Sequence, residues 1–505
     1  MNPHRILLID INRVALDTSA DMLEYPLGLL YVATSLRQAF GPRIDVRILS
    51  YHDRPNHWRR IEEALETFRP QILGLRALTM GRAAMHKIAT LAQERFDIPI
   101  VIAGGPHATH CPEDVVANPA FACAVLGEGE RTAVDLVSCV LAGKPIDAVP
   151  GIAVRSPEGV RLTPPRPVIE DLDSLPIPEY DLVDFTETYR GYVDFSFRQG
   201  LPHANLFTSR GCPYHCIYCH KVFGKTFRAH SPERTLTEMR ILYEKHGIRS
   251  FQILDDIFNI DRRRAMRFFE LLIASGMDVV LSFPNGLRGD RIDAEMIDAM
   301  WDAGVRYIAY AIESGAPRIQ KLIQKNLDLD RITEAITLSN AKGILTRGFF
   351  MLGFPTETED EVRMTVEFAK SSDLAMAMFF TVVYFPGTPL YRLAQEMCNL
   401  SDYDLALEDD YVHTRDGPYA FSRATLERIK LDALREFCFS PKRLRLFFER
   451  TPNFYNQRDI DASILANIIS AQMDEEDVPR SPYARVLHRH FLVAKRFSER
   501  SGFFV

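Results

Sequence analysis

The chain has 505 residues with a formal net charge of −7, and 47% of its residues are hydrophobic and 25% charged. That length is too great for one core and calls for two to four domains, built from ordinary globular material rather than a disordered tract. The acidic balance counts against a nucleic-acid binder that works by neutralising phosphates. Eight cysteines, three of them packed into 212–219, do not make the disulfide frame of a small secreted protein.

Cysteine usage points to a reducing compartment. The opening stretch MNPHRILLIDINRV enters a strand at once and lacks the build of a signal peptide. The apolar run 374–385 is too short to span a bilayer and is interrupted by Thr381. The chain therefore reads as cytoplasmic, with no membrane span.

From residue 1 to 145, short apolar runs at 5–9, 46–49, 72–75, 100–103 and 122–126 alternate with helix-length amphipathic segments at 28–40, 58–68, 83–95 and 130–141. This predicts a doubly wound parallel sheet with strands buried on both faces. Ligands bind such sheets at the carboxyl ends of the strands, where the chain places Gly104-Gly105 and Gly127-Glu128-Gly129-Glu130. With their neighbours YPLGLLYVA, RALTMG, AGGPHATHCPED and LGEGERT, these loops resemble the Rossmann-like cobalamin-binding domain found in front of many radical S-adenosylmethionine (SAM) enzymes. The resemblance implies cobalamin contacts at Thr79, Gly104, Gly105, Gly127 and Glu128. One familiar pattern is missing: the segment after the first strand, DINRVALDTSADMLEYP, has no D-x-H-x-x-G, whose histidine would ligate cobalt. Cobalamin held without that histidine is the favoured expectation, a domain that has lost the cofactor the other; His107 and His110 are possible cobalt neighbours.

Residues 146–199 read as a linker carrying a small hairpin, GIAVRS and VRLT around Pro157-Glu158-Gly159, followed by a proline-rich strap, DLDSLPIPEY. A second strand–helix alternation occupies 200–395, with strands at 205–208, 250–254, 279–283, 307–312, 348–352 and 379–384.

After the first of these strands comes TSRGCPYHCIYCHKVFGK, with Cys212, Cys216 and Cys219 in a C-x3-C-x2-C run. Three thiolates so close suit iron–sulfur or zinc, and no fourth cysteine lies nearby to complete a structural zinc or an ordinary ferredoxin site. A 4Fe–4S cluster on three cysteines keeps one iron open for a small molecule. This spacing, with the aromatic Tyr218 before the last cysteine, resembles the radical SAM superfamily. Membership implies that the open iron chelates SAM, which one electron cleaves to methionine and a hydrogen-abstracting 5′-deoxyadenosyl radical. It also implies a partial (β/α)6 barrel, to which six βα units conform, with reactive residues at the carboxyl ends of the strands. Polar residues at those ends give the expected SAM contacts: Tyr218, Asp255, Asp256, Arg288, Glu313, Ser314 and Gly353. Asp255-Asp256 stands where a GGE-like motif would hold the SAM amine, and AIESG and GFFMLGFPTE resemble the ribose and adenine motifs.

The remaining 396–505 read as mostly helical. REFCFSPKRLRLFFER resembles the C-terminal region of proteins allied to the anaerobic magnesium-protoporphyrin ester cyclase, and the stripe Phe437, Phe439, Phe447 and Phe448 reads as packing. The fold class expected is α/β: a cobalamin-binding domain, a partial barrel and a helical C-terminal region. The resemblance implies a cobalamin-dependent radical SAM enzyme that methylates an unactivated carbon of a small molecule, served by an electron donor such as flavodoxin or ferredoxin. The alternatives are an oxidative cyclisation or rearrangement on the same cofactors, and a non-catalytic corrinoid-binding or sensory protein.

Overall fold

Alternation along β1 (His4–Asn12) sends Leu7, Ile9 and Ile11 into one apolar core and Ile6 and Leu8 into another, as a strand covered on both faces requires. It lies parallel between β2 (Ile44–His52) and β3 (Ile72–Ala77), and β4 (Ile100–Gly104) and β5 (Cys123–Val125) continue the parallel sheet. The intervening helices are α1 (Leu27–Phe40), α2 (His57–Phe68), α3 (Arg82–Phe96), α4 (Gly105–His110), α5 (Pro112–Ala117) and α6 (Gly129–Leu141). The computed structural model describes residues 3–12, 26–52, 57–183, 202–220, 222–400, 416–438 and 440–450.

The hairpin expected inside the linker joins this sheet. β6 (Ile152–Ser156) pairs antiparallel with β5, and β7 (Gly159–Leu162) with β6, giving the order β2-β1-β3-β4-β5-β6-β7. Arg155 fastens it by donating to the carbonyls of Val116 and Asn118. The strap that follows packs Leu172, Leu175 and Tyr180 into the barrel's core together with Leu27, Leu30 and Tyr31 of α1. Its Glu179 amide donates to Thr34 Oγ1 at 2.8 Å, so it ties α1 to the barrel.

The second sheet is parallel and open, in the order β8 (His203–Leu206), β11 (Ser250–Ile253), β12 (Val280–Leu287), β13 (Val305–Glu313), β14 (Leu345–Leu352), β15 (Met376–Thr381), with the two-residue strands β9 (Ser209–Arg210) and β10 (Arg228–Ala229) forming a separate ribbon. Six parallel strands curve into a partial barrel under α7 (Pro232–His246), α8 (Arg262–Ser275), α9 (Ala294–Asp302), α10 (Pro317–Leu322), α11 (Leu329–Lys342), α12 (Glu359–Ser371) and α13 (Pro389–Met397). Local rules set the helix starts: Ser231 caps α7 ahead of Pro232, and Thr358 and Glu361 form a capping box on α12.

Two C-terminal helices, α14 (Arg423–Cys438) and α15 (Pro441–Arg450), lean on this barrel. Phe437 packs against Phe379 with ring centroids 6.4 Å apart, and Arg443 donates to the carbonyls of Ala369, Lys370, Ser372 and Leu374 at the open end of α12. Phe439 and the side chains of Phe447 and Phe448 lie outside the described residues. Among the described residues no helix is long and apolar enough to cross a membrane.

Candidate functional site

The three-cysteine loop is pinned at its base. The ribbon of β9 and β10 closes residues 211–227, and Gly211 stands beside Cys212 with φ +80° where a Cβ would collide with the Thr226 carbonyl oxygen. Only glycine fits there. Asp255, at the carboxyl end of β11, accepts from Thr208 N, Thr208 Oγ1 and Ser209 Oγ, each at 2.6 Å, while Asp256 accepts from Gly211 N at 3.1 Å. Both carboxyls are pushed up by burial, which these donors only partly offset.

Within the loop, the Cys216 and Cys219 side chains stand within hydrogen-bonding reach of one another. The Cys219 hydrogen bond pulls Cys216 down to about 6, helped by Lys325, and the same bond pushes Cys219 up. Cys212 is raised by burial. The donor set is thiolate-rich, with Cys216 buried and its partners half-buried, which fits a cluster held at the barrel's mouth. Behind it, Tyr218 OH donates to Glu313 Oε1 at 3.3 Å, and Lys325 Nζ donates to the same oxygen at 2.9 Å and to Tyr218 OH at 3.1 Å.

The expected SAM contacts therefore divide. Tyr218 and Glu313 come together beside the cysteines, and Asp256 stands at the loop's base. Asp255 is engaged by the loop's own donors. Arg288 forms a two-nitrogen pair with Asp290, donates to Asn326 O and stacks on Tyr214 at 3.9 Å. Ser314 is buried against Thr365 Oγ1 at 3.0 Å and caps the turn through Ala316 N. Gly353, at φ +93°, donates its amide to Glu357 Oε2 at 2.6 Å. Glu357 is fully buried, its Oε1 has no partner, and burial pushes its carboxyl up to about 7 against the pull of the Phe354 and Gly353 amides.

The carboxyl edge of the first sheet faces the exit of this loop. The His110 ring lies 4.2 Å from that of His220, the residue after Cys219, and His220 lies 5.1 Å from Phe385. A Cβ on Gly127 would sit 3.9 Å from Val222 O. Burial lowers both imidazoles, His220 to about 4, and His110 Nε2 and His220 Nδ1 are buried without a partner. Gly105 and Gly127 have left-handed backbone (φ +86° and +69°), and Thr79 is buried in the short turn that follows β3. Close-approach glycines and orphaned buried nitrogens at a strand-end edge fit a large polar cofactor seated between the two sheets. The segment after β1, 13–25, lies outside the described residues.

Glu128, one of the residues expected beside the cobalamin, has its carboxylate in a buried ion-pair seam. Its Oε1 accepts from Arg210 and Arg228, both at 2.9 Å, and its Oε2 accepts from Ile169 N at 2.7 Å, while Arg210 reaches Glu130 at 2.6 Å. All four side chains are buried, and they join the first sheet to the ribbon under Cys212. Its carboxylate is consumed by the seam.

His107 likewise belongs to a packed triad. Among the described residues, His86, His107 and Asp114 are the group whose three donor atoms all lie within 4.8 Å. Asn118 Oδ1 accepts from Ala120 N, so its Nδ2 faces His86 Nδ1 at 3.2 Å; His86 then carries its proton on Nε2 and donates to Asp114 at 2.9 Å. His107 Nε2 meets the same carboxylate oxygen at 2.8 Å. Both imidazole bonds hold Asp114 well below the usual carboxylate range, and the arrangement ties α3, α4 and α5 together without an ion.

Sequence reasoning missed Lys325, Arg210 and Arg228. Lys325 sits in KLIQKNLDLD, to which no motif attaches, and Arg210, inside the cysteine stretch, and Arg228, just past it, carry no spacing that marks them out.

Two family models match the chain, the radical SAM superfamily over residues 206–369 and the B12-binding domain over 13–137. An uncharacterized methyltransferase of Pyrococcus horikoshii is 32% identical, over 73% of this chain and 78% of that protein. The cytidylyl-2-hydroxyethylphosphonate methyltransferase of Streptomyces wedmorensis is 27% identical, over 77% of this chain and 81% of that one. The solved structure of the radical SAM methyltransferase TsrM from Kitasatospora setae, with cobalamin and a 4Fe–4S cluster bound, matches with a TM-score of 0.64 and 17% identity over 99% of both chains.

Proposed function

Because this chain belongs to the cobalamin-dependent radical SAM family, with a B12-binding domain ahead of its barrel, we propose that it methylates an unactivated carbon of a small-molecule substrate. The cluster with SAM supplies a hydrogen-abstracting radical and the cobalamin a transferable methyl group, so the protein's part is to hold and align them. Cys212, Cys216 and Cys219 would hold the cluster, with Tyr218, Glu313 and Asp256 nearest to hand for SAM. Thr79, Gly104, Gly105 and Gly127 would border the cobalamin, and the orphaned nitrogens of His110 and His220 could meet its amide groups.

The observation that carries this reading is the junction itself. The edge expected to seat cobalamin abuts the exit of the three-cysteine loop, His110 against His220 at 4.2 Å, so the two cofactor regions adjoin with no third domain between them. No side chain there is needed as acid or base; burial disfavours the charged form of both imidazoles. A low-potential one-electron carrier such as flavodoxin or ferredoxin would reduce the cluster, and the relatives named as methyltransferases support the transfer of a methyl group.

The test is anaerobic reconstitution with iron, sulfide and cobalamin, followed by turnover with methyl-labelled SAM on the substrate found by metabolite fractionation. Label in the product supports methyl transfer. Product without label would replace it with the cyclisation or rearrangement reading, and no 5′-deoxyadenosine under reduction would leave the corrinoid-binding one.

A further inference from the structure

Lys325 is a buried cation that the functional reading does not yet use. It lies in the turn between α10 and α11, and both its neighbours adopt left-handed backbone, Gln324 at φ +55° and Asn326 at φ +48°. Glu313, its carboxylate partner, is left-handed as well at φ +68°. Such conformations cost energy for residues with a Cβ and persist where surrounding structure imposes them.

Holding the turn in place does not require the lysine. Gln320 already does so: its Nε2 donates to Ile312 O at 2.8 Å and Ser314 O at 2.6 Å, and its Oε1 accepts from Leu327 N at 3.2 Å. Ile217 N adds a bond to Ile323 O at 3.1 Å, which lays the turn directly against the cysteine loop. The Gln324 carbonyl oxygen then stands 4.0 Å from Cys216 Sγ. Between these left-handed neighbours the Lys325 side chain turns inward, where its ammonium donates to Tyr218 OH at 3.1 Å and to Glu313 Oε1 at 2.9 Å, and Tyr218 stands between Cys216 and Cys219 in the loop. An apolar residue would fill the same space without desolvating a charge.

We propose that Lys325 is a positioning residue that sets a positive charge behind Cys216 and Cys219, favouring the reduced form of the cluster they hold, with Glu313 as the counter-charge that tempers it. This rests on the functional reading above. Reduction adds one electron from a low-potential one-electron donor; no bond forms or breaks and no proton moves. Cluster potentials respond to local net charge, so a cation in a dry site raises the potential and an anion lowers it.

The test is a redox titration followed by electron paramagnetic resonance on the anaerobically reconstituted full chain, with dithionite as reductant. Lys325→Met should move the cluster midpoint to a more negative potential, Lys325→Arg should lie closer to the parent than Lys325→Met, and Glu313→Gln should move it the opposite way. A merely structural lysine would not give shifts of opposite sign. An unmoved or more positive midpoint in Lys325→Met overturns the inference; if that variant takes up no iron, a Glu313→Gln midpoint that fails to rise overturns it. The functional reading fails separately, and takes the inference with it, if the parent protein binds no iron and sulfide or if SAM leaves the reduced-cluster spectrum unchanged.

Discussion

Replacing Glu128 by Gln tests whether the seam under the cysteine loop is a buried electrostatic latch. The side chains of Glu128, Glu130, Arg210 and Arg228 are each only 4–5% exposed, and their charges cancel two against two. Glutamine keeps an oxygen for Ile169 N but leaves one positive charge uncompensated in a dry site and turns an amide group toward the arginines. Removing one member of a buried pair costs about 3–5 kcal/mol, most of it the stranded partner's desolvation. Arg228 is left without a carboxylate, its remaining bonds going to the carbonyls of Ile169 and Phe223 and to the neutral oxygen that glutamine keeps beside Ile169 N, so a cost within that range is expected. The assay uses the chain's two tryptophans, Trp58 on α2 of the first sheet and Trp301 on α9 of the barrel. Single-tryptophan variants report urea unfolding of each part separately. The two transitions should coincide in the parent and separate in Glu128→Gln, with the first part melting earlier. Adding Arg228→Met should restore much of the loss, because the stranded charge leaves with it. A cost below about 1 kcal/mol, or strict additivity of the two substitutions, would refute the latch.

Glu357 gives a pH signature. Its carboxyl is raised from 4.5 to about 7 in the fold, so the folded state binds more protons between those values and stability falls as pH rises from 4.5 through 7, then levels. The shift corresponds to about 3 kcal/mol, and Glu357→Gln should flatten the dependence of the urea midpoint between pH 5 and 8; a parent midpoint that rises over that range would contradict the assignment. Gly211→Ala should strip the protein of iron and sulfide while far-ultraviolet circular dichroism stays native, whereas Gly224→Ala, equally left-handed but with open space around it, should retain both; equal loss in the two would mean that backbone strain, not the Thr226 carbonyl, decides. Equimolar zinc should leave the melting temperature of the first part unchanged, since His86 and His107 both bond the Asp114 carboxylate, and Asp114→Asn should lower it; a zinc-induced rise would overturn the His86 tautomer drawn from Asn118.

The parallel sheets were legible because each strand buries both faces and its apolar run is written contiguously in the sequence. The cysteine loop was legible for a similar reason: its donors are seven residues apart end to end, and local spacing carries the chemistry. Errors arose where a neighbour far along the chain decides. The strand expected at 205–208 ends at Leu206, because Thr208 turns to Asp255 and Ser209-Arg210 pairs with Arg228-Ala229 instead of continuing the sheet. The hairpin at 152–162 has an ordinary linker composition, and what recruits it to the first sheet is the unpaired edge of β5 together with Arg155 reaching Val116.

The same distinction separates the polar residues. Asp255, Asp256 and Glu128 all follow strand ends, Glu128 between two glycines, where a cofactor contact and a structural anchor have the same local appearance. Their partners lie 41–100 residues away, and only the fold reveals that Asp255 holds the loop's base and Glu128 the seam. Both nonetheless serve the cluster at one remove, since Thr208, Ser209, Arg210 and Gly211 are the four residues immediately before Cys212. A carboxylate from each sheet thus fixes the approach to the first cysteine, Glu128 through Arg210 and Asp255 through Thr208 and Ser209. A change in the first sheet that displaced Glu128 would be felt at Arg210, two residues before Cys212, through a buried charge pair.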